Sequence, residues 1–443
     1  MEVKNAVDGI SSFPVSAERP IVFKQRARSM AMFLGLSGDV SLLELKKYAD
    51  EIIGMMLIPP QTKKEGNDVV VVVSAMSGET NRLINLATQL DNRPSSRELD
   101  VLMTTGEQVT ASLLSMALVS RGYSAISLIA DQVGIKTSSH FGKARIQSVN
   151  SDILKEHIEH GRIVIAAGFQ GRDEENNITT LGRGGTDTSA VAIAAAIGAE
   201  ECLIFTDVEG VYTTDPRIVS DARKLNKVTF EEMLEMAYSG SKVLQTRSVA
   251  MAMTNNVRLR VLSTFKEVGE PNGTILVNNN EEIMERRVIT GISYSKNEAQ
   301  ITLSKMPDHP GLSSNIFGAL AEQEVNVDMI IQNVSGDGKS VDITFTINKE
   351  ELSRARIAID AIKDVVKFDN LKINEDIAKI SVIGVGMISH SGVAHTMFKT
   401  LADKGVNLLL ISTSEIKISV LINKEYGELA VRVLHDAYGL KDR

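Results

Sequence analysis

The sequence predicts an α/β protein: a layered α/β domain on a parallel sheet, then two ferredoxin-like βαββ repeats. Three observations lead there. One is an unbroken β-branched run near residue 70, another is the alternation of such runs with helical stretches, and the third is a C-terminal region that repeats itself.

Val69-Val70-Val71-Val72-Val73 reads as a strand buried on both faces of a parallel sheet. It ends at Ser74-Ala75-Met76-Ser77-Gly78, and a helix-like segment follows from Asn81. Ile163-Val164-Ile165-Ala166-Ala167 repeats the pattern and ends at Gly168. Cys202-Leu203-Ile204-Phe205 repeats it again and ends at Thr206-Asp207. Helical stretches over 108–120 and 188–197 lie between them, so ligands are expected at the carboxyl ends of the strands.

Beyond residue 290, Pro310-Gly311 and an amphipathic stretch over 316–324 lead into Val325-Asn326-Val327-Asp328-Met329-Ile330. Later, Ser391-Gly392 and a second helix lead into Gly405-Val406-Asn407-Leu408-Leu409-Leu410. Each copy closes with an alternating strand, over 342–347 and 417–422. The order matches half of a ferredoxin-like unit with its return strand, duplicated once. The expected divisions are 1–65 as an atypical opening, 66–288 as the layered α/β domain, 289–370 as the first repeat and 371–443 as the second.

At 443 residues the chain exceeds one hydrophobic core. With 43% apolar and 23% charged residues it has ordinary globular composition. A formal net charge of −8, without basic runs, argues against nucleic acid or an anionic membrane as partner. The single cysteine, Cys202, sits in an apolar run and reads as a buried thiol in a reducing compartment. Arg26 and Arg28 before an apolar stretch over 30–36 resemble a targeting signal, but Glu2, Asp8 and Glu18 spoil it, so a cytoplasmic location is expected. The seven histidines form no metal-ligand set by spacing.

Chemistry concentrates in a few segments. In Leu181-Gly182-Arg183-Gly184-Gly185-Thr186-Asp187, glycines beside an arginine at a helix start offer bare amides and a guanidinium to an anion. Alone, the same letters also describe a glycine turn with a surface arginine. Thr206, Asp207, Tyr212, Asp215 and Arg217 crowd hydroxyls, an aromatic and an arginine into one loop at a strand end, which alone also reads as a capped turn. Glu107, in Thr104-Thr105-Gly106-Glu107, can take a substrate ammonium or merely cap a helix.

Taken in order and spacing, Ser74-Ala75-Met76, Thr105-Gly106-Glu107, Arg183 to Asp187, the loop over 206–217 and Ser241-Lys242-Val243-Leu244 resemble the aspartate kinases of the amino acid kinase family. The resemblance runs from about residue 68 to 440, includes two ACT-type repeats, and is greatest to the monofunctional bacterial type.

It implies ATP-dependent phosphorylation of the L-aspartate β-carboxylate, the entry step to lysine, threonine and methionine, with Mg²⁺ carried by ATP. It further implies that Arg183 clamps a substrate carboxylate, Glu107 meets the ammonium, and Ser74 and Thr80 line the pocket. Thr186 and Asp187 would sit near the transferring group, with Gly184 and Gly185 supplying amides. Thr206, Asp207, Tyr212, Asp215 and Arg217 would contact the nucleotide, and Lys242 its phosphates. Lysine or threonine would bind at Asp308, Ser313, Asn326, Asp328 and Gln332 in the first repeat. In the second repeat the corresponding positions are Val393, Ala394, Asn407, Leu408, Ser414 and Glu415. Edge strands of such repeats pair between copies, so a homo-oligomer is expected.

One departure stands out. Relatives open with a strand leading into Lys-Phe-Gly-Gly-Thr-Ser, whose lysine and amides hold phosphates, and this chain has Phe33-Leu34-Gly35-Leu36-Ser37-Gly38 there. The segment has diverged from a working ancestor, or Lys24 or Lys46 substitutes, or the chain is a catalytically weak amino acid sensor. A kinase for another amino acid carboxylate is the remaining alternative.

Overall fold

The computed structural model describes residues 66–441 except Ser77, Lys242, 264–272, 279–287, 336–337 and 339, together with the backbone of two short strands, Ile21–Gln25 and Ser29–Ala31. It divides into two compact units. The first comprises Met1–Val211, Lys224–Ala237 and Lys242–Glu282, and the second Tyr212–Arg223, Tyr238–Ser241 and Ile283–Arg443.

The first unit is built on a nine-stranded sheet. Asp68–Val73 pairs in parallel with Ile163–Ala167, which pairs in parallel with Ala125–Leu128. Val69 to Val73 are all fully buried, as the β-branched run predicts, and each valine contributes about 1.5 kcal/mol or more of apolar burial. On one face Val69, Val71 and Val73 join Ile163, Ile165, Leu203 and Phe205 in a core closed by Ala111, Leu114 and Leu118 of the helix Ser96–Ser120. The alanine-rich helix Gly185–Ile197 also lies against this sheet. Small side chains allow that close approach. Cys202 is fully buried, and burial first, then the nearby Asp187 and Glu201 carboxylates, pushes its thiol well above the ordinary range, so it is the structural thiol expected.

The strand Ile21–Gln25 lies between Asp68–Val73 and Glu201–Thr206 and is antiparallel to both. Asp68–Val73 and Glu201–Thr206 therefore run the same way, and their carboxyl ends share one edge of the sheet.

The second unit holds two four-stranded sheets. The first contains Val327–Val334, Ser340–Asn348, Glu298–Pro307 and Asn370–Asn374, in that order, over the helices Leu312–Glu322 and Leu352–Ala361. The second contains Gly291–Ser295, Ile377–Ile383, Lys417–Asn423 and Leu410–Thr413, over Val393–Ala402 and Gly427–Ala437. The repeats are nested rather than strictly consecutive. Gly291–Ser295 precedes the first repeat in the chain yet completes the sheet of the second, while Asn370–Asn374 closes the sheet of the first. No helix among the described residues is long and apolar enough to cross a membrane.

Candidate active site and effector positions

In the first unit, the site grows from the helix Ser96–Ser120. Its buried stripe begins polar, with Asp100, Thr104, Glu107 and Thr110, and ends apolar, with Ala111, Leu114 and Leu118. The apolar end anchors the helix on the sheet and thereby sets its polar end beside the strand termini. Glu107 is 3% exposed, and its Oε1 accepts the Ala75 N–H at 3.1 Å. A Cβ on Gly106 would stand 2.8 Å from the Ala75 Cβ, so only glycine lets the helix approach the strand end this closely. Ser74 is buried next to Ala75, and Thr80 lies half-buried in the first turn of the helix Glu79–Leu90.

The Arg183 loop is shaped by two left-handed glycines, Gly182 at φ 76° and Gly184 at φ 66°. A Cβ on Gly184 would fall 1.8 Å from the Gln245 side chain, so the loop is pressed against the residues that follow Lys242. Lys242 itself lies outside the described residues, as do Lys46 and 33–38. Arg183 is exposed, whereas Thr186 and Asp187 are 7% and 4% exposed in the first turn of Gly185–Ile197. A Cβ on Gly168, at the end of Ile163–Ala167, would meet the Thr186 methyl at 2.6 Å. Thr206 is fully buried at the end of Glu201–Thr206 and donates to Asp207 Oδ1 at 3.0 Å. Thus Ser74, Glu107, Thr186 and Thr206 all lie at or against the carboxyl edge of one sheet, where the strand pattern places ligands.

The backbone register sets Lys24 opposite Glu201, at the amino end of Glu201–Thr206, while Ile21 pairs with Ile204 nearer the carboxyl end.

Residues that pattern reading passed over support this loop. Thr180 N–H and Gly142 N–H donate to Asp100 Oδ2 at 2.7 and 2.9 Å, and Thr180 Oγ1 donates to Oδ1 at 2.8 Å. Burial pushes the Asp100 carboxyl above the usual range against the pull of these bonds. Arg247 donates to the Leu181 carbonyl at 2.6 Å and to the Ala144 carbonyl at 2.9 Å. Phe169, at φ 66°, holds a left-handed conformation costly for an aromatic residue, and its carbonyl accepts the Leu181 N–H at 2.9 Å. The only advance signal was Asp100 lying two helical turns before Glu107.

Tyr212, Asp215 and Arg217 fold with the second unit. Arg217 forks onto Asp215, with contacts of 3.0 and 2.8 Å. Their segment packs Val219 into the core of the second repeat, and Thr213 hydrogen-bonds His435 at 3.0 Å.

Among the effector positions, Ser313 donates to Gln332 at 3.2 Å, so these two meet. Asn326 instead turns to Glu351, its N–H donating to Oε2 at 3.1 Å. Asp328 accepts from Lys379 Nζ at 2.5 Å, and Glu298 flanks the same ammonium at 2.9 Å. Asp308, Asn407, Ser414 and Glu415 are exposed, Leu408 and Ala394 half-buried, and Val393 buried with its carbonyl bonded to Tyr438. No group of three metal-ligating side chains occurs among the described residues.

Residues 60–263 match the amino acid kinase family, and 301–361 and 380–438 each match the ACT domain. An aspartate kinase of Pseudomonas putida is 50% identical over 378 residues, covering 85% of this chain and 91% of that one. An aspartokinase of Mycolicibacterium smegmatis is 46% identical over 418 residues, covering 93% and 97%. The crystal structure of E. coli aspartokinase III with aspartate and ADP shares the fold at TM-score 0.72 and 24% identity, covering 87% of this chain and 96% of that one.

Proposed function

The chain belongs to the aspartate kinases of the amino acid kinase family, which phosphorylate the β-carboxylate of L-aspartate with ATP under allosteric control, and we propose that its transfer site is the sheet edge carrying Ser74, Glu107, Thr186 and Thr206. The observation that carries this reading is the approach of Glu107 to Ala75, which sets a buried carboxylate beside a strand terminus in the unit that also holds the Arg183 loop.

In this reading Glu107 receives the substrate ammonium and Arg183 grips a carboxylate with its planar fork. Ser74 and Thr80 line the pocket between them. The acceptor is already an anion, so catalysis rests on alignment and charge neutralisation rather than on a strong base. The first-turn amides of Gly185–Ile197, with Thr186, face the transferring phosphoryl group. Thr206 and Asp207 hold the nucleotide from the strand end, joined by Lys242. Asp187 and Asp207 would hold the Mg²⁺ that arrives with ATP, and the ion would offset the phosphate charge. Lysine or threonine acts at the repeats, and exposed Ile330 and Val334 on the edge strand Val327–Val334 support pairing with a second copy. A cytoplasmic location fits the buried thiol.

The departure at 33–38 from the family's phosphate motif supports a second reading, a regulatory subunit on an impaired kinase scaffold. ADP release from MgATP with L-aspartate, measured without effectors and then with lysine, threonine and both, separates the two. Aspartate-dependent release establishes the kinase. Its absence, with amino acid binding still visible by thermal shift, leaves the sensor.

A further inference from the structure

We infer that Asp100 and Arg247 are positioning residues for the carboxylate clamp, and that Asp100 ties the two ends of the aspartate site to one helix. This rests on the reading that Glu107 and Arg183 hold opposite ends of the substrate.

The four backbone groups just ahead of the Gly182 turn are all engaged. Thr180 N–H goes to Asp100 and the Thr180 carbonyl accepts Ala144 N–H at 2.9 Å. Leu181 N–H goes to Phe169 and the Leu181 carbonyl accepts Arg247. Two of these four partners are charged side chains, from the helices Ser96–Ser120 and Thr246–Thr254. Charge-assisted bonds in low dielectric are the stronger kind, so the approach to Arg183 is held more firmly than a surface glycine turn requires. Asp100 is 1% exposed and also takes Gly142 N–H, while Arg247 also takes the Ala144 carbonyl. The same two side chains therefore bind the neighbouring 142–144 stretch to the clamp.

Asp100 and Glu107 are seven residues apart on one helix, hence on one face and about 10 Å apart along the axis. The ammonium acceptor and the anchor of the carboxylate clamp are thus spaced by rigid helix rather than by loop. A substrate with a longer or shorter reach would need that helix to bend.

The test uses the full chain and measures the calorimetric Kd for L-aspartate, together with KM for aspartate and for MgATP, in Asp100→Asn, Arg247→Met, Arg247→Lys and Arg183→Ala. Asp100→Asn keeps the size but removes the charge behind the Gly142 and Thr180 N–H bonds and leaves only an amide donor for the Thr180 hydroxyl. It and Arg247→Met are expected to weaken aspartate binding by about 10- to 100-fold with the MgATP KM little changed. Arg247→Lys is expected to recover part of the loss, and Asp100→Asn to add little in the Arg183→Ala background. Unchanged aspartate binding in a folded Asp100→Asn, or a parallel loss of both substrates, overturns the proposal. Should Asp100→Asn fail to fold, Arg247→Met decides by the same criteria. If Arg183→Ala binds aspartate normally, the clamp reading itself is wrong; if Arg183→Ala is weak and Asp100→Asn is not, only the positioning role falls.

Discussion

Thr213 and His435 lie 222 residues apart in sequence and share a buried hydrogen bond of 3.0 Å between Oγ1 and Nε2. Thr213 also receives the Arg223 N–H and gives its carbonyl to Ile292 N–H, so His435 fastens a closed excursion of chain to the final helix. That excursion carries Asp215 and Arg217, and Tyr212 immediately precedes it.

Burial holds the His435 imidazole below its ordinary pKa of 6.5, opposed by Asp436 and Asp221 and aided by Lys441. The folded state therefore binds the proton less readily than the unfolded chain. The associated stability is full above pH 6.5 and drains away as pH falls through the lowered value. Hydrogen-exchange protection factors at Gly427–Ala437 should fall over that window, and His435→Gln should flatten the dependence. An unchanged pH slope in the variant would assign the effect to another group.

Lys379 is 3% exposed between Glu298 and Asp328 and stacks over Tyr238 at 5.4 Å. Replacing it with Met leaves a buried and a half-buried carboxylate without their cation, expected to cost about 3 kcal/mol. Denaturant unfolding of Lys379→Met checks this, and adding Glu298→Gln and Asp328→Asn should restore part of the loss. Desolvation lowers the Lys379 pKa but the two carboxylates outweigh it, leaving it raised above 10.5. This contribution is thus complete below pH 10.5 and lost only as pH climbs through the raised value.

Because Asp328 already faces an internal ammonium, exposed Asp308 is the better acceptor for an effector in the first repeat. Asp308→Asn should abolish the lysine- or threonine-induced thermal shift while leaving the shift with aspartate intact. Retention of both shifts would move the effector site elsewhere.

Gly184→Ala puts a methyl into Gln245 and a Cβ on a left-handed residue. Adding Gln245→Ala should relieve the collision but not the backbone term of about 1–2 kcal/mol. The aspartate Kd should therefore recover only in part.

Glu107→Gln keeps the shape and removes the charge. If Glu107 takes the substrate ammonium, aspartate binding should fall by about 10- to 100-fold, the worth of one charged hydrogen bond. Equal weakening of ATP would point to a fold defect instead.

The strands Asp68–Val73, Ile163–Ala167 and Glu201–Thr206 were legible because burial on two faces demands continuous apolar runs. The duplication was legible for the same reason, since each copy repeats its helix and strand periodicity. Asp100 was not, because an acid inside an amphipathic helix carries no mark of the loop, 80 residues on, that it will hold. Nor was the nesting of the repeats: Gly291–Ser295 is too short to reveal which sheet it joins, and its partner Ile377–Ile383 lies beyond a whole intervening unit.

That nesting exposes the second repeat to strand exchange. Its sheet can close only when Gly291–Ser295, synthesised early, meets Ile377–Ile383, synthesised after the first repeat. The first repeat brings them together, since Gln300 pairs with Asn374 and draws the two ends of the insertion side by side. Until it has folded, Ile377–Ile383 presents an unpaired edge that Gly291–Ser295 of another newly made chain fits equally well. Entangled dimers formed this way would be the characteristic misassembled product, and their yield on refolding should rise with protein concentration and with any substitution that slows the first repeat.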